Sequence, residues 1–180
     1  MIVAKQVADF ITSFRLLIAI ILVWVGIEKG ASGIALVAWI MIVDWLGDMF
    51  DGRIARSSSK KYQTWIGDHD LEVDMVVSLG LFIFILQIEK VDPWLGLGYL
   101  LIWLIYFLIQ GKIPDSLGTL FQAPIYGWFI WIAVNETPKA GWTIIVFLIL
   151  SIVFTWPAFP KIMIPRFFSG FNGGNFDHSL

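Results

Sequence analysis

Three stretches of this chain, Pro93–Gly111, Ser116–Asn135 and Ala140–Pro160, each run for a membrane-spanning length without a single charged residue. A transmembrane helix needs roughly 20 mostly apolar residues. The runs are continuous rather than alternating, which argues for helices and against a lipid-facing β-barrel. Three earlier stretches are apolar but carry charge toward one end. They are Phe10–Ile27 with Arg15, Gly30–Phe50 with Asp44 and Asp48, and Asp70–Ile88 with Asp70, Glu72 and Asp74. The sequence therefore predicts an all-α fold, an integral membrane bundle of six transmembrane helices. Short turns such as Val91-Asp92-Pro93 would join them.

Composition agrees. Hydrophobic residues make up 58% and charged residues 14%, with a mean hydropathy of +0.82. Soluble domains lie near 45–50% apolar and about 25% charged. Six spans of roughly 20 residues leave no room for a separate soluble domain. Residues 1–180 are read as one membrane domain, with the tail 167–180 an interfacial or flexible end. Lys5, Arg15 and Leu16–Ile27 have the outline of a signal peptide, but five further spans follow, so the segment is read as a retained first helix. The net charge of −2 gives no ground for a nucleic-acid partner. With no cysteine there is neither a disulfide nor a thiolate metal site.

Basic residues orient such a bundle. With six spans, one side holds Lys5, Arg15, Arg53, Arg56, Lys60, Lys61, Lys112, Lys161 and Arg166. The other side holds Lys29, Lys90 and Lys139. Nine against three places both termini in the cytoplasm, together with the charged ends of the first three helices. The expected location is the cell membrane, with the site on its cytoplasmic face. Trp94, Trp142 and Trp156 stand near expected span ends, as an interfacial aromatic belt requires.

The functional signal is the acids. Six of the ten Asp (Asp44, Asp48, Asp51, Asp68, Asp70 and Asp74) fall between positions 44 and 74. From Asp48, the residues Asp51, Gly52, Ala55 and Arg56 follow at +3, +4, +7 and +8, which is one face of an α-helix. Asp44 extends that face by a turn. Asp70 and Asp74 share a face of the next helix. Carboxylates this close raise one another's pKa and need cations. Of Arg53, Arg56, Lys60 and Lys61, only Arg56 shares the face. All-oxygen ligands suit Mg²⁺ or Mn²⁺, and with His69 and His178 as the only histidines, zinc is disfavoured. Two such ions would clamp a diphosphate. Gly52 and Ala55 leave the face bare, so a nucleotide can approach the backbone.

These residues resemble the signature of the CDP-alcohol phosphotransferase (CDP-alcohol phosphatidyltransferase) family, D-x-x-D-G-x-x-A-R followed by G-x-x-x-D-x-x-x-D. Asp48, Asp51, Gly52, Ala55, Arg56, Asp70 and Asp74 match it. The second glycine is displaced by one position: Ile66 stands in its place and Gly67 follows. Thr12 and Arg15 look like the T-x-x-R that often opens this family. The resemblance implies that Asp48, Asp51, Asp70 and Asp74 hold two Mg²⁺ or Mn²⁺ ions, with Asp74 also the general base. It implies that Gly52, Ala55 and Arg56 contact the CDP moiety. The implied reaction moves a phosphatidyl-type group from a CDP-linked lipid, such as CDP-diacylglycerol, to a small polar alcohol and releases CMP.

Other readings of the same residues stay open. The acids would also serve a transporter or ion-binding protein, or belong to a catalytically inactive member of the family. Asp44 is either an acceptor-pocket residue or a polar group satisfied by neighbouring helices. Lys112, Lys161 and Arg166 are topology anchors or a basic pocket for a phosphorylated acceptor such as glycerol 3-phosphate. Gly26-x-x-x-Gly30 fits the close helix contact of a homodimer.

Overall fold

The computed structural model describes the backbone of residues 4–57, 70–110 and 114–156. It describes the side chains of residues 10–50, 71–110, 114 and 116–156. Among these the chain is helical and has no strand. The helices are α1 (Ala4–Lys29), α2 (Ile34–Ser57), α3 (Asp70–Gln87), α4 (Pro93–Gln110), α5 (Asp115–Glu136) and α6 (Pro138–Phe154). A 3-10 turn, Gly30–Gly33, separates α1 from α2. By length and apolarity three stretches are able to cross a membrane: Phe10–Phe50, broken by that turn, Pro93–Gln110 and Ser116–Glu136. Helix α6 is apolar but shorter, at 17 residues. Helix α3 has 18 residues, but Asp70, Glu72 and Asp74 occupy its first turns.

The breaks follow from local chemistry. Gly30 takes φ 53°, a left-handed conformation that favours glycine, and turns the chain out of α1. Before α4, the Asp92 carboxylate accepts from the backbone N–H of Trp94 at 2.8 Å and of Leu95 at 3.2 Å. Pro93 opens that helix, where a missing N–H costs nothing. Pro138 opens α6 in the same way, one residue after the Thr137 N–H bonds the Ala133 carbonyl.

Side-chain contacts fix the helix directions. Arg15 meets Asp44, Gly47 lies by Ile11, and Gly33 lies by Val25, so α1 and α2 are antiparallel. Between α1 and α3 the partners are Arg15 with Asp74, Ala19 with Gly80, and Gly26 with Gln87. The offset is about sixty residues each time, so these helices run parallel. Leu71 at Gly118 and Phe84 against Phe129 set α5 parallel to α3. Trp45 stacks on Phe147 at 6.2 Å, and Phe50 and Phe154 line one cleft, so α6 runs with α2. Direction alternates along the chain. The start of α1 and the end of α6 therefore lie at the same end of the bundle as Asp48.

Leu22, Val37, Met41, Val77, Leu81, Phe84, Ile85, Phe129 and Ile144 form the dry core. The outer surface is also apolar: Ile20, Trp24, Ile102, Leu108 and Trp131 are exposed. An apolar exterior over an apolar core is a lipid-facing design. Trp94, Trp142 and Trp156 are exposed near helix ends, as expected of interfacial tryptophans. The Gly26–Gly30 pair is used differently from the expectation. Gly26 is buried against the side chains of Gln87 and Phe84, so the close contact it permits is with α3 of the same chain.

At Gly80, α3 packs directly on the backbone of α1. A Cβ there would stand 2.8 Å from both the Cα and the carbonyl oxygen of Ala19, backbone atoms that cannot swing away. Gly80→Val is expected to cost at least about 1–3 kcal/mol through overpacking. Gly98→Ala, with nothing within 4 Å of the added carbon, is expected to cost none. Thermal unfolding of both variants in detergent checks this.

Candidate functional site

The polar residues buried in this bundle are few: Thr12, Arg15, Asp44, Ser78, Ser116 and Gln122 among the described residues. Arg15, the twelfth residue of α1, is 3% exposed and reaches three acids on two other helices. Its Nε donates to Asp44 Oδ1 at 2.9 Å, its Nη1 to Asp48 Oδ1 at 3.0 Å, and its Nη2 to Asp74 Oδ1 at 2.5 Å. A guanidinium is planar and carries five N–H donors, so one residue is able to hold several carboxylates at fixed angles.

The three acids differ in access to water. Asp44 is fully buried at 0%, Asp74 is 24% exposed and Asp48 is 45% exposed. Their order follows α2, where Asp44 sits one turn deeper than Asp48. Asp44 Oδ2 has no hydrogen-bond partner. An isolated buried carboxylate is costly, and Arg15 supplies the charge that makes this one tolerable. Asp44 Oδ1 is met from a neighbouring helix, as one of the two roles its position suggested requires. Tyr126 of α5 is close enough to feel the charges of Asp44, Asp74, Arg15 and Asp48, and packs edge-on against Trp45 at 5.6 Å.

The expected site residues divide in two. Asp48 and Asp74 come together, from separate helices. Asp51, Gly52, Ala55 and Arg56 lie on the last turns of α2, and Asp70 is the first residue of α3. Their helical backbone keeps them on the faces the spacing predicted, while their side chains lie outside the described residues. Lys112, Lys161, Arg166, Ile66, Gly67 and the tail 167–180 also lie outside them. Among the described residues no three acids group closely enough to hold a metal ion, and the cation shared by Asp44, Asp48 and Asp74 is Arg15. The donors nevertheless suit a hard divalent ion. Asp48 and Asp74 are all-oxygen ligands, reachable from water, and held within the span of one guanidinium.

Arg15 as the counter-ion was not expected from the sequence. The sequence marks Arg15 as a charge near a span end and as part of T-x-x-R, while the cations nearest the acids in the chain are Arg53, Arg56, Lys60 and Lys61. The usable signal was a charge inside an otherwise apolar span, which must find a partner.

A groove of about 510 Å³ opens between α3, α4 and α5. Its lining includes Glu72, Met75, Leu79, Leu101, Trp103 and Phe107; Glu72 stands two residues before Asp74, on another face of α3, and the rest of the lining is apolar.

The ion cluster sets a stability test. Arg15→Gln leaves Asp44 buried without its counter-ion and is expected to cost about 3–5 kcal/mol. Adding Asp44→Asn removes the stranded charge and is expected to recover most of that loss. A double-mutant cycle by thermal unfolding in detergent measures the coupling.

Neither the curated proteins nor the solved structures gave a significant match to the chain. A family profile described as CDP-alcohol phosphatidyltransferase matches residues 5–164, spanning α1 through α6 and including Arg15, Asp44, Asp48 and Asp74. On the extent of that match, the chain belongs to the CDP-alcohol phosphatidyltransferase family, a family of membrane transferases.

Proposed function

We propose that this protein transfers a phosphatidyl-type group from a CDP-linked lipid, such as CDP-diacylglycerol, to a small polar alcohol and releases CMP. The observation that carries the reading is the meeting of Asp48 and Asp74 on one guanidinium, 33 and 59 residues from it in the chain. Family membership supplies the reaction class. The bundle has six spans in this reading, lies in the cell membrane with both termini cytoplasmic, and works at the cytoplasmic face.

Asp48, Asp51, Asp70 and Asp74 would hold two Mg²⁺ or Mn²⁺ ions. Bound there, the ions would neutralise the diphosphate and stabilise the charge on departing CMP. Gly52 and Ala55 leave room for the nucleotide along α2, and Arg56 offers its phosphates a planar donor fork. Asp74 accepts the proton of the acceptor hydroxyl as its oxygen attacks the phosphorus that carries the lipid. The bond from that phosphorus to the bridging oxygen breaks, and the electron pair leaves with CMP. The hydroxyl is far less acidic than a carboxylic acid, so Asp74 helps mainly as the new bond forms. Positioning and charge supply most of the rate.

A lipid donor suits this architecture. The nucleotide stays wet at the end of the bundle while an acyl chain lies along the apolar groove that begins at Glu72. Glycerol 3-phosphate is the first acceptor to try, since Lys112, Lys161 and Arg166 supply positive charge for a phosphorylated alcohol.

The test is CMP release from CDP-diacylglycerol by purified protein, with Mg²⁺ or Mn²⁺ and a panel of acceptors. One acceptor is expected to give release, and chelation to stop it. Asp74→Asn is expected to lower the rate at least about 100-fold, the smaller end of a general base's contribution. No release with any acceptor overturns the proposal. Cation flux in liposomes without nucleotide binding would favour a transporter instead.

A further inference from the structure

We infer that Arg15 is a positioning residue for the metal site, a fork moored on Asp44 that sets Asp48 and Asp74 at ligating distance before any cation arrives. The inference rests on the metal-dependent reading above.

The three hydrogen bonds are unequal in surroundings. Nε faces Asp44, which is out of reach of water. The two Nη atoms face Asp48 and Asp74, the acids with water access. One side of the guanidinium is therefore a buried anchor, and the other points toward the carboxylates that would do the work. The planarity of the group transmits the anchor: with Nε fixed on Asp44, the directions of Nη1 and Nη2 are fixed too. Without the fork, Asp48 and Asp74 stand on different helices, repel each other and have ordinary rotamer freedom.

Charge alone does not explain the arrangement. The positive charge of Arg15 is balanced by Asp44, so the pair together is neutral toward an incoming divalent ion. What remains is geometry. A group that orients metal ligands through hydrogen bonds typically contributes 10–100-fold to metal affinity. Lysine could match the charge but not the fork, because its ammonium is a point charge on a flexible stem.

The neutrality of the pair gives a clean test. The double variant Arg15→Gln/Asp44→Asn removes one charge of each sign, so the net charge at the site does not change. Mn²⁺ binding to purified protein in detergent, without nucleotide, is followed by electron paramagnetic resonance, and thermal unfolding confirms that each variant is folded. The expected result is an affinity lower by about 10–100-fold in the double variant. Arg15→Lys, which keeps the charge and all three acids, is expected to lose affinity as well, by about 10-fold, the lower end of what a ligand-orienting contact contributes. Wild-type affinity in either folded variant overturns the positioning role and leaves the proposed reaction standing. Absence of Mn²⁺ binding by the wild-type protein overturns the metal reading itself, and the inference falls with it.

Discussion

A guanidinium buried among apolar helices is tolerated only where its charge is met on the spot. In this bundle the partners arrive from two other helices, and their arrival constrains almost everything else. Helix α1 must bring Arg15 level with Asp44 and Asp48 on an antiparallel neighbour and with Asp74 on a parallel one. That requirement fixes the depth of α2, the register of α3 and the packing of both against α1. The ion cluster and the fold are the same constraint seen from two sides. Its net worth is a difference of large terms, since desolvating one arginine and a buried aspartate offsets much of their attraction.

Close approach of backbones makes the meeting sterically possible. Gly80 lets α3 sit directly on the backbone of Ala19, and Gly26 leaves room for the Gln87 side chain at the far end. Small residues at crossings are the usual solution in lipid, where no hydrophobic force drives helices together. Aromatic side chains do the complementary work where helices stand further apart. Tyr99, Trp103 and Phe107 of α4 pack against one another, and all three meet Phe121 of α5. The Tyr99 hydroxyl bonds the Phe121 carbonyl at 2.5 Å.

Much of this was written plainly in the sequence. Uncharged runs gave the later helices, because a lipid-facing helix is apolar on every side. Pro93 closed a turn and opened an uncharged run, and α4 begins there, whereas α6 begins at Pro138, two residues before the run Ala140–Pro160. The spacing of Asp48, Asp51, Gly52, Ala55 and Arg56 marked one helical face. The pairing of Arg15 was not legible, because its partners lie 29, 33 and 59 residues away and depend on how helices pack. An arginine near a span end reads equally well as a topology anchor. Gly26 shows the same limit: a small-residue pattern announces a close contact but not whose helix makes it.

The parallel register of α1 and α3 has a consequence for how this chain is free to vary. Arg15 engages Asp74 near one end of the pair, and Gly26 engages Gln87 about three turns further along. Two grips on rigid rods make the intervening segment a measuring stick. Apart from the crossing of Gly80 on Ala19, substitutions between them change what faces lipid or core. A single inserted or deleted residue would turn everything beyond it by about 100° and shift it by about 1.5 Å, so both grips are not kept at once. The segment is thus locked in length more firmly than in composition.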